Sequence, residues 1–355
     1  MTAENNVLLE IKDLSKLYPV GSGVFRQARD FIHAVSGLNL TIRRGESVGL
    51  VGESGCGKTT TGKLLSRLID PTEGSIIFYT DDGAVDLAGL KGKELKAFRR
   101  RVQMIFQDPY ESLNPRLTIY DTVAEPLDVQ GIGSIPEREA RVADLLETVG
   151  LTPATSFMFR YPHELSGGQR QRVAIARALI VEPDFVVADE PTSMLDVSVR
   201  TGVMHLMQEL AQRLGVTYLY ITHDLAVARY MCDRLAVMYL GKIVEIGQTE
   251  EVLHNPKHPY TRALLSAVPV PDPTYTREPV VIKGGISKPI NPVPQCRFLD
   301  RCPISQQICL DQPHPPLEER NGDGQFAACH VVNGHNGNYW AKHSPAQIAR
   351  GAPAS

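Results

Sequence analysis

The stretch GESGCGKT, Gly52 to Thr59, constrains this chain more than any other feature. It follows the apolar run SVGLV and precedes the helical stretch TTGKLLSRLI, so it is a glycine-rich turn between a strand and a helix. Glycines let such a turn curl until its backbone N–H groups point at phosphate oxygens, and the helix start adds positive potential. Gly52, Glu53, Ser54, Gly55, Cys56, Gly57, Lys58, Thr59 and Thr60 are therefore the candidate phosphate cradle. Within it Lys58 reaches for the β- and γ-phosphates and the Thr59 hydroxyl helps hold Mg²⁺. A plain glycine-rich strand-to-helix turn is the alternative, disfavoured because both the pattern and its strand–helix context are met. A nucleotide site follows from this; a function does not.

FVVADE, residues 185 to 190, supplies a partner for that turn. Four apolar residues make a buried strand, and Asp189 at its end can bind the metal's shell opposite the phosphate loop. Glu190 comes next, where a carboxylate near the γ-phosphate can orient or deprotonate the attacking water. Taken alone it also reads as a solvated loop acid. LSGGQRQRVAIARALI, residues 165 to 180, reads as a helix with Ser166 near its start and apolar residues at helical spacing (Val173, Ala176, Ile180). A capped helix is the plain reading. The sharper one is a second phosphate-binding helix start that serves the nucleotide of another subunit.

The first 250 or so residues alternate β-type runs (SVGLVG, VQMIFQ, FVVADE, YLYITH, LAVMYLG) with helical stretches, which predicts an α/β fold with a mostly parallel sheet. Fifteen of the 25 prolines fall in residues 255–355, predicting a boundary there and two domains, 1–254 and 255–355, the second loop-rich and each with a core. The final stretch, NGHNGNYWAKHSPAQIARGAPAS, is polar and expected to be partly mobile or to drape over a partner. A net charge of −3 gives no support to nucleic-acid binding. The amino terminus lacks the basic start and apolar run of an export signal, and no stretch reaches the roughly 20 apolar residues of a membrane span. The protein is expected inside the cell, where thiols stay reduced.

Six cysteines then argue for metal binding or burial rather than disulfides. Cys56 reads as a small residue of the phosphate loop, and Cys232 as a residue buried in a helix. Cys296, Cys302, Cys309 and Cys329 stand apart in the proline-rich region, separated by five, six and nineteen residues. Four thiolates suit an iron–sulfur centre. Structural zinc, which favours ligand pairs two to four residues apart, and unligated thiols remain the alternatives.

GESGCGKT, Gln107 in IFQDPYESLNP, LSGGQ, FVVADE, SMLD (193–196) and His223 in YITHD together closely resemble the ATPase subunits of ABC transporters, in order and spacing, over residues 7 to about 250. The resemblance implies an ABC-type P-loop ATPase cassette, a RecA-like core with antiparallel β and helical subdomains, followed by a small loop-rich C-terminal domain. It further implies a head-to-tail dimer with two ATP molecules sandwiched between the phosphate loop of one subunit and the LSGGQ loop of the other. By that match Ser166, Gly167, Gly168 and Gln169 would meet the partner's nucleotide, and Asp196 would sit at the dimer seam. Gln107 would sense Mg²⁺ and the permease, Glu190 would act as base, and His223 would hold the γ-phosphate and the attacking water. Tyr18 in LSKLYPV matches the aromatic on which adenine stacks, although an aromatic there is also a common core residue; the segment VGSGVFRQARDFIHAV lengthens the loop after it. Met194 departs from the family's usual alanine.

NPKHPYTRALLSAVP, residues 255–269, reads from its residues as a proline-marked boundary and a short helix. With GGISKPINPVPQC and FQDPYESLNPR it resembles the C-terminal extension of oligopeptide and dipeptide importer ATPases, more the F than the D subunit. That resemblance implies a heterodimer with a second ATPase, two membrane permeases, an external solute-binding protein, and a place on the cytoplasmic face of the membrane. It leaves nickel complexes, glutathione and sugars open as solutes. Some relatives carry a [4Fe-4S] cluster in this tail. The rivals are a soluble ABC ATPase acting on ribosomes or DNA, against which stand the absence of paired cassettes or coiled coils, and an exporter ATPase.

Overall fold

Three strand-like runs of the sequence are so apolar that only a sheet covered on both faces can hold them. The computed structural model, which describes residues 6–21, 29–267, 280, 282–285, 288–319, 322–335 and 339–342, puts them at the centre of the molecule. They are β3 (Ser47–Val51), β7 (Phe185–Asp189) and β8 (Thr217–Thr222), and every residue of β7 and β8 is buried. With β6 (Val102–Ile105), β9 (Arg234–Tyr239), β10 (Lys242–Gln248), β11 (Glu318–Glu319) and β12 (Phe326–Ala327) they form one eight-stranded sheet in the order β11-β12-β10-β9-β3-β8-β7-β6. The run from β9 to β6 is parallel, and β10, β11 and β12 add antiparallel pairs. Because β6, β7, β8 and β3 are parallel neighbours, the loops that leave their carboxyl ends lie side by side.

A second, antiparallel sheet of order β2-β1-β4-β5 contains β1 (Val7–Val20), β2 (Asp30–Arg43), β4 (Glu73–Thr80) and β5 (Gly83–Asp86). Leu9, Ile11, Leu40, Ile42 and Phe78 from its inner face pack with Leu50 and Leu64 of the phosphate-loop unit. Helices Ile119–Gln130, Ile135–Thr148 and Gly167–Leu179 build a separate helical layer through Val123, Leu127, Val142, Leu146 and Val173. Each starts with a reciprocal cap, formed by Thr118 with Asp121, Ser134 with Glu137 and Ser166 with Gln169. Such pairs satisfy two N–H groups that the first helical turn leaves without partners.

The segment beyond residue 255 is joined closely to what precedes it. A single apolar cluster combines Val51, Leu235, Val237 and Tyr239 of the large sheet with Tyr260, Phe298, Cys302, Cys309, Cys329 and Val332. β12 extends the sheet through β10, and residues 289–291 bind the edge of β2 through His33 N–H to Pro289 O (2.9 Å) and Asn291 N–H to Phe31 O (3.0 Å). At this seam Glu245 is fully buried, and its carboxylate accepts from Lys257 N–H (2.7 Å), His258 N–H (2.9 Å) and Gln325 Nε2 (2.6 Å). Burial raises its pKa and those donors oppose the rise. Glu245→Ala strands two buried backbone donors, so it is expected to cost about 3–5 kcal/mol of stability in urea unfolding. An unchanged midpoint would show that the seam does not depend on this carboxylate.

The structure corrects one reading. Cys232 is buried, yet it stands in extended backbone just past the helix Leu225–Met231, not inside a helix. The lengthened loop at 22–28 and the tail beyond 342 lie outside the described residues. Among the described residues no helix is long and apolar enough to cross a membrane.

Candidate functional site

The phosphate loop leaves β3 and runs into the helix Lys58–Leu65. Its shape depends on glycine at two positions. Gly52 has φ 154° and Gly57 has φ 113°, and a Cβ added at either would lie 2.2 Å from a backbone carbonyl oxygen, of Met238 and Ala34 respectively. The loop curls over Lys58, whose buried ammonium donates to Gly52 O (2.7 Å) and Glu53 O (3.0 Å). The first intrahelical bond to the loop is Thr61 N–H to Gly57 O, so the N–H groups just before it are directed to the mouth of the site. Ser54 and Gly55 are exposed, Thr60 is half-buried, and burial pushes the Cys56 thiol up.

Thr59 Oγ1 lies 3.3 Å from Asp189 Oδ1. Asp189 closes the buried β7, and its pKa is raised chiefly by burial, with the Glu190 charge adding and the Thr59 hydrogen bond and Lys58 opposing. A hydroxyl and a desolvated carboxylate that disfavours bare negative charge are hard oxygen donors suited to Mg²⁺. The pair therefore fits the ion.

Glu190 follows with φ 46°, a left-handed conformation that costs a non-glycine residue about 1–3 kcal/mol and recurs at functional sites. The surroundings impose it. Its N–H donates to Ile221 O (2.8 Å) of β8, Gln107 Nε2 donates to Oε2 (3.0 Å), and His223 Nδ1 stands 2.9 Å from Oε1. Gln107 follows β6, Glu190 follows β7, His223 follows β8 and Lys58 follows β3, so adjacent parallel strands deliver all four. The Gln107 amide nitrogen is directed to Glu190, which leaves only its Oε1 for a metal. The Glu190 side chain is 16% exposed and that of His223 63% exposed, so the carboxylate is held in place yet open to water on one side.

Other sequence-derived residues stand apart from this group. Tyr18 lies on β1 with its side 37% exposed and the Lys16 ammonium 5.3 Å from the ring centroid, a placement that is not that of a core residue. Ser166 accepts from Gln169 N–H and Gln169 Oε1 accepts from Ser166 N–H, so this exposed start caps its own helix. Among the described residues no hydrogen bond joins Ser166, Gly167, Gly168 or Gln169 to the phosphate loop. A Cβ on Gly168 would lie 2.5 Å from Val199, which ties this corner to the start of helix Val197–Leu214, with Asp196 at its exposed N-cap. Met194 (55%) and Val197 (78%) are exposed beside it.

The four tail cysteines are all free thiols, three buried and Cys296 half-buried. They share one apolar cluster, and Cys296 N–H donates to Cys309 O (3.3 Å). Burial pushes Cys296 up to about 11 and Cys329 up to about 12, and raises Cys302 further; the neighbouring thiols add to each shift. Among the described residues no group of three or more His, Cys, Asp or Glu side chains is drawn together for a single metal ion.

Two residues of the site carried no sequence signal. Tyr260 accepts the Glu53 N–H (2.9 Å), and Arg301 pairs with the Glu53 carboxylate through both terminal nitrogens (2.8 and 3.0 Å). They lie 207 and 248 positions from the loop, beyond any local pattern.

A phosphate loop, a strand-end aspartate and a following glutamate held by glutamine and histidine define a P-loop ATPase. Residues 35–193 match the ABC transporter family model, and 244–309 match that of the oligopeptide/dipeptide transporter C-terminal region. The chain belongs to the ATP-binding subunits of ABC transporters, in the oligopeptide/dipeptide branch. It is 45% identical over 337 residues, covering 94% of this chain and 100% of the relative, to the oligopeptide transport ATP-binding protein AppF of Bacillus subtilis. Identity to a putative peptide import ATP-binding protein of Brucella ovis is 49%, covering 91% of this chain and 97% of the relative. Among solved structures, the ATP-binding cassette MJ0796, as a post-hydrolysis dimer bound to ADP and Pi, matches with TM-score 0.59 and 33% identity, covering 68% of this chain and 99% of that one.

Proposed function

We infer that the chain is the ATP-hydrolysing subunit of a peptide-importing ABC transporter. The observation that carries the chemistry is Glu190, fixed by Gln107 and His223 beside the Thr59–Asp189 pair and Lys58. The water oxygen attacks the γ-phosphorus of ATP, the bond to the β-phosphate oxygen breaks, ADP leaves, and the water proton passes to a Glu190 oxygen. His223 orients the water and the γ-phosphate, and Lys58 balances the charge that develops on the phosphate oxygens. Thr59 and Asp189, with Gln107 Oε1, would hold Mg²⁺, which when bound neutralises phosphate charge.

The pocket is completed in trans. Ser166 is exposed and Gly167, Gly168 and Gln169 are half-buried at a helix start with no hydrogen bond to the phosphate loop of the same chain among the described residues, and Asp196 stands nearby with the exposed Met194 and Val197. This supports a sandwich in which a second ATPase supplies the missing half of each site; that the second ATPase is a homologous but different chain rests on the resemblance to the paired ATPases of peptide importers. Two permeases would dock near Gln107 and DPYESLNP, where Phe106 and Tyr110 are exposed, placing the protein on the cytoplasmic face of the membrane with a solute-binding protein outside. The names of the relatives favour peptides as the solute. Turnover of the complex in vesicles is expected to rise when its binding protein is loaded with a short peptide. Equal turnover with and without peptide, but a rise with a nickel complex or glutathione, would move the solute and keep the ATPase.

The four cysteines support a [4Fe-4S] cluster. Its support is the residue pattern: four soft donors lie in one buried part of the tail, although no three of them are drawn together around one point among the described residues, so iron binding would have to gather them. Anaerobic preparations should be brown and contain iron and labile sulfide; colourless, iron-free protein would defeat this assignment.

A further inference from the structure

The turn between Cys296 and Cys302 is tied by Leu299 N–H to Cys296 O (3.1 Å), Arg301 N–H to Phe298 O (3.0 Å) and Cys302 N–H to Leu299 O (3.2 Å). It presents Arg301, only 8% exposed, to the phosphate loop. There the guanidinium holds both Glu53 carboxylate oxygens and lies 5.7 Å from the Tyr239 ring centroid. The same glutamate is gripped at its main chain, because its N–H donates to the Tyr260 hydroxyl and its carbonyl accepts from Lys58. Tyr260 is itself fully buried and packs on Tyr239 and Phe298, with ring centroids 4.7 and 5.6 Å apart. Glu53 is thus a fixed post from which the rest of the cradle is strung, and both of its outside anchors come from the segment beyond residue 255.

A loop that must wrap a triphosphate loses conformational freedom on binding unless it is already ordered, and pre-ordering is gained as affinity. We propose that Arg301 and Tyr260 are positioning residues that hold the phosphate loop ready for ATP, so that the four-cysteine unit governs nucleotide affinity through the Arg301–Glu53 pair. This rests on the phosphate loop being the ATP site. The pair is charged, bidentate and mostly desolvated, which makes removal of one partner costly to the other. Neither side chain contacts the reacting atoms, so the effect falls on ATP binding before it falls on the chemical step.

The test titrates the full chain with a fluorescent ATP analogue. Arg301→Met and Glu53→Gln are each expected to raise Kd about tenfold, and the double variant no further, because both singles release the same contact. Arg301→Lys, which keeps the charge but not the fork, recovers part of the loss. Cys296→Ser with Cys302→Ser weakens binding when Arg301 is present and adds nothing when it is methionine. A Kd within about twofold of the parent for Arg301→Met, or additive losses in the double variant, would overturn the proposal. A parent chain that fails to bind the analogue at all would overturn the ATP-site reading with it.

Discussion

Glu190→Gln is expected to hydrolyse ATP about 10²–10⁴-fold more slowly than the parent, the span that a positioned general base contributes. The loss should be confined to chemistry. The amide has the shape of the carboxylate, so the Gln107 and His223 contacts at 3.0 and 2.9 Å can be remade by an amide oxygen and an amide nitrogen. The φ of 46° is imposed by main-chain bonds to Ile221 and Ser193 and is not altered by the side chain. ATP and Mg²⁺ are then retained while the proton acceptor is gone, which should leave the nucleotide trapped in a closed dimer. Phosphate release at saturating ATP reads the first effect and analogue binding the second. Turnover near the parental rate would remove Glu190 from its role.

Gly57→Ala should weaken ATP binding by about 100-fold, corresponding to about 2.7 kcal/mol. Two costs combine. At φ 113° any side chain is strained, and the new Cβ would lie 2.2 Å from Ala34 O, a backbone atom fixed in β2 that cannot turn aside. The loop or the strand must move, and the N–H groups aimed at phosphate move with it. Gly55→Ala is the control: φ there is 79° with nothing within 4 Å of the added carbon, so only the conformational cost of about 1 kcal/mol applies, a loss of about fivefold. Equal affinities in both variants would mean that the contact with Ala34 does not shape the cradle.

The antiparallel sheet, the helical layer and the parallel core follow the architecture that the resemblance implied. The local units within them were legible without it. SVGLV before GESGCGKT, the apolar FVVAD and the Ser166–Gln169 cap are short-range features, set by backbone preference, burial and hydrogen bonds three residues apart. The reading of Cys232 failed for a related reason. Periodicity detects burial well, but it does not say at which residue a seven-residue helix stops.

By itself the sequence determined the family and named the candidate residues for the chemistry: a lysine in a glycine-rich turn, two acids at a strand end, a glutamine and a histidine, with four thiols set apart from them in the tail. Only the tertiary structure decided how they meet. The order β3-β8-β7-β6 brings Lys58, His223, Glu190 and Gln107 to one edge, although Gln107 and Glu190 are 83 positions apart. It also brought Arg301 and Tyr260 to Glu53, across separations where no helical or strand period acts and only the packing of a shared core selects the neighbour.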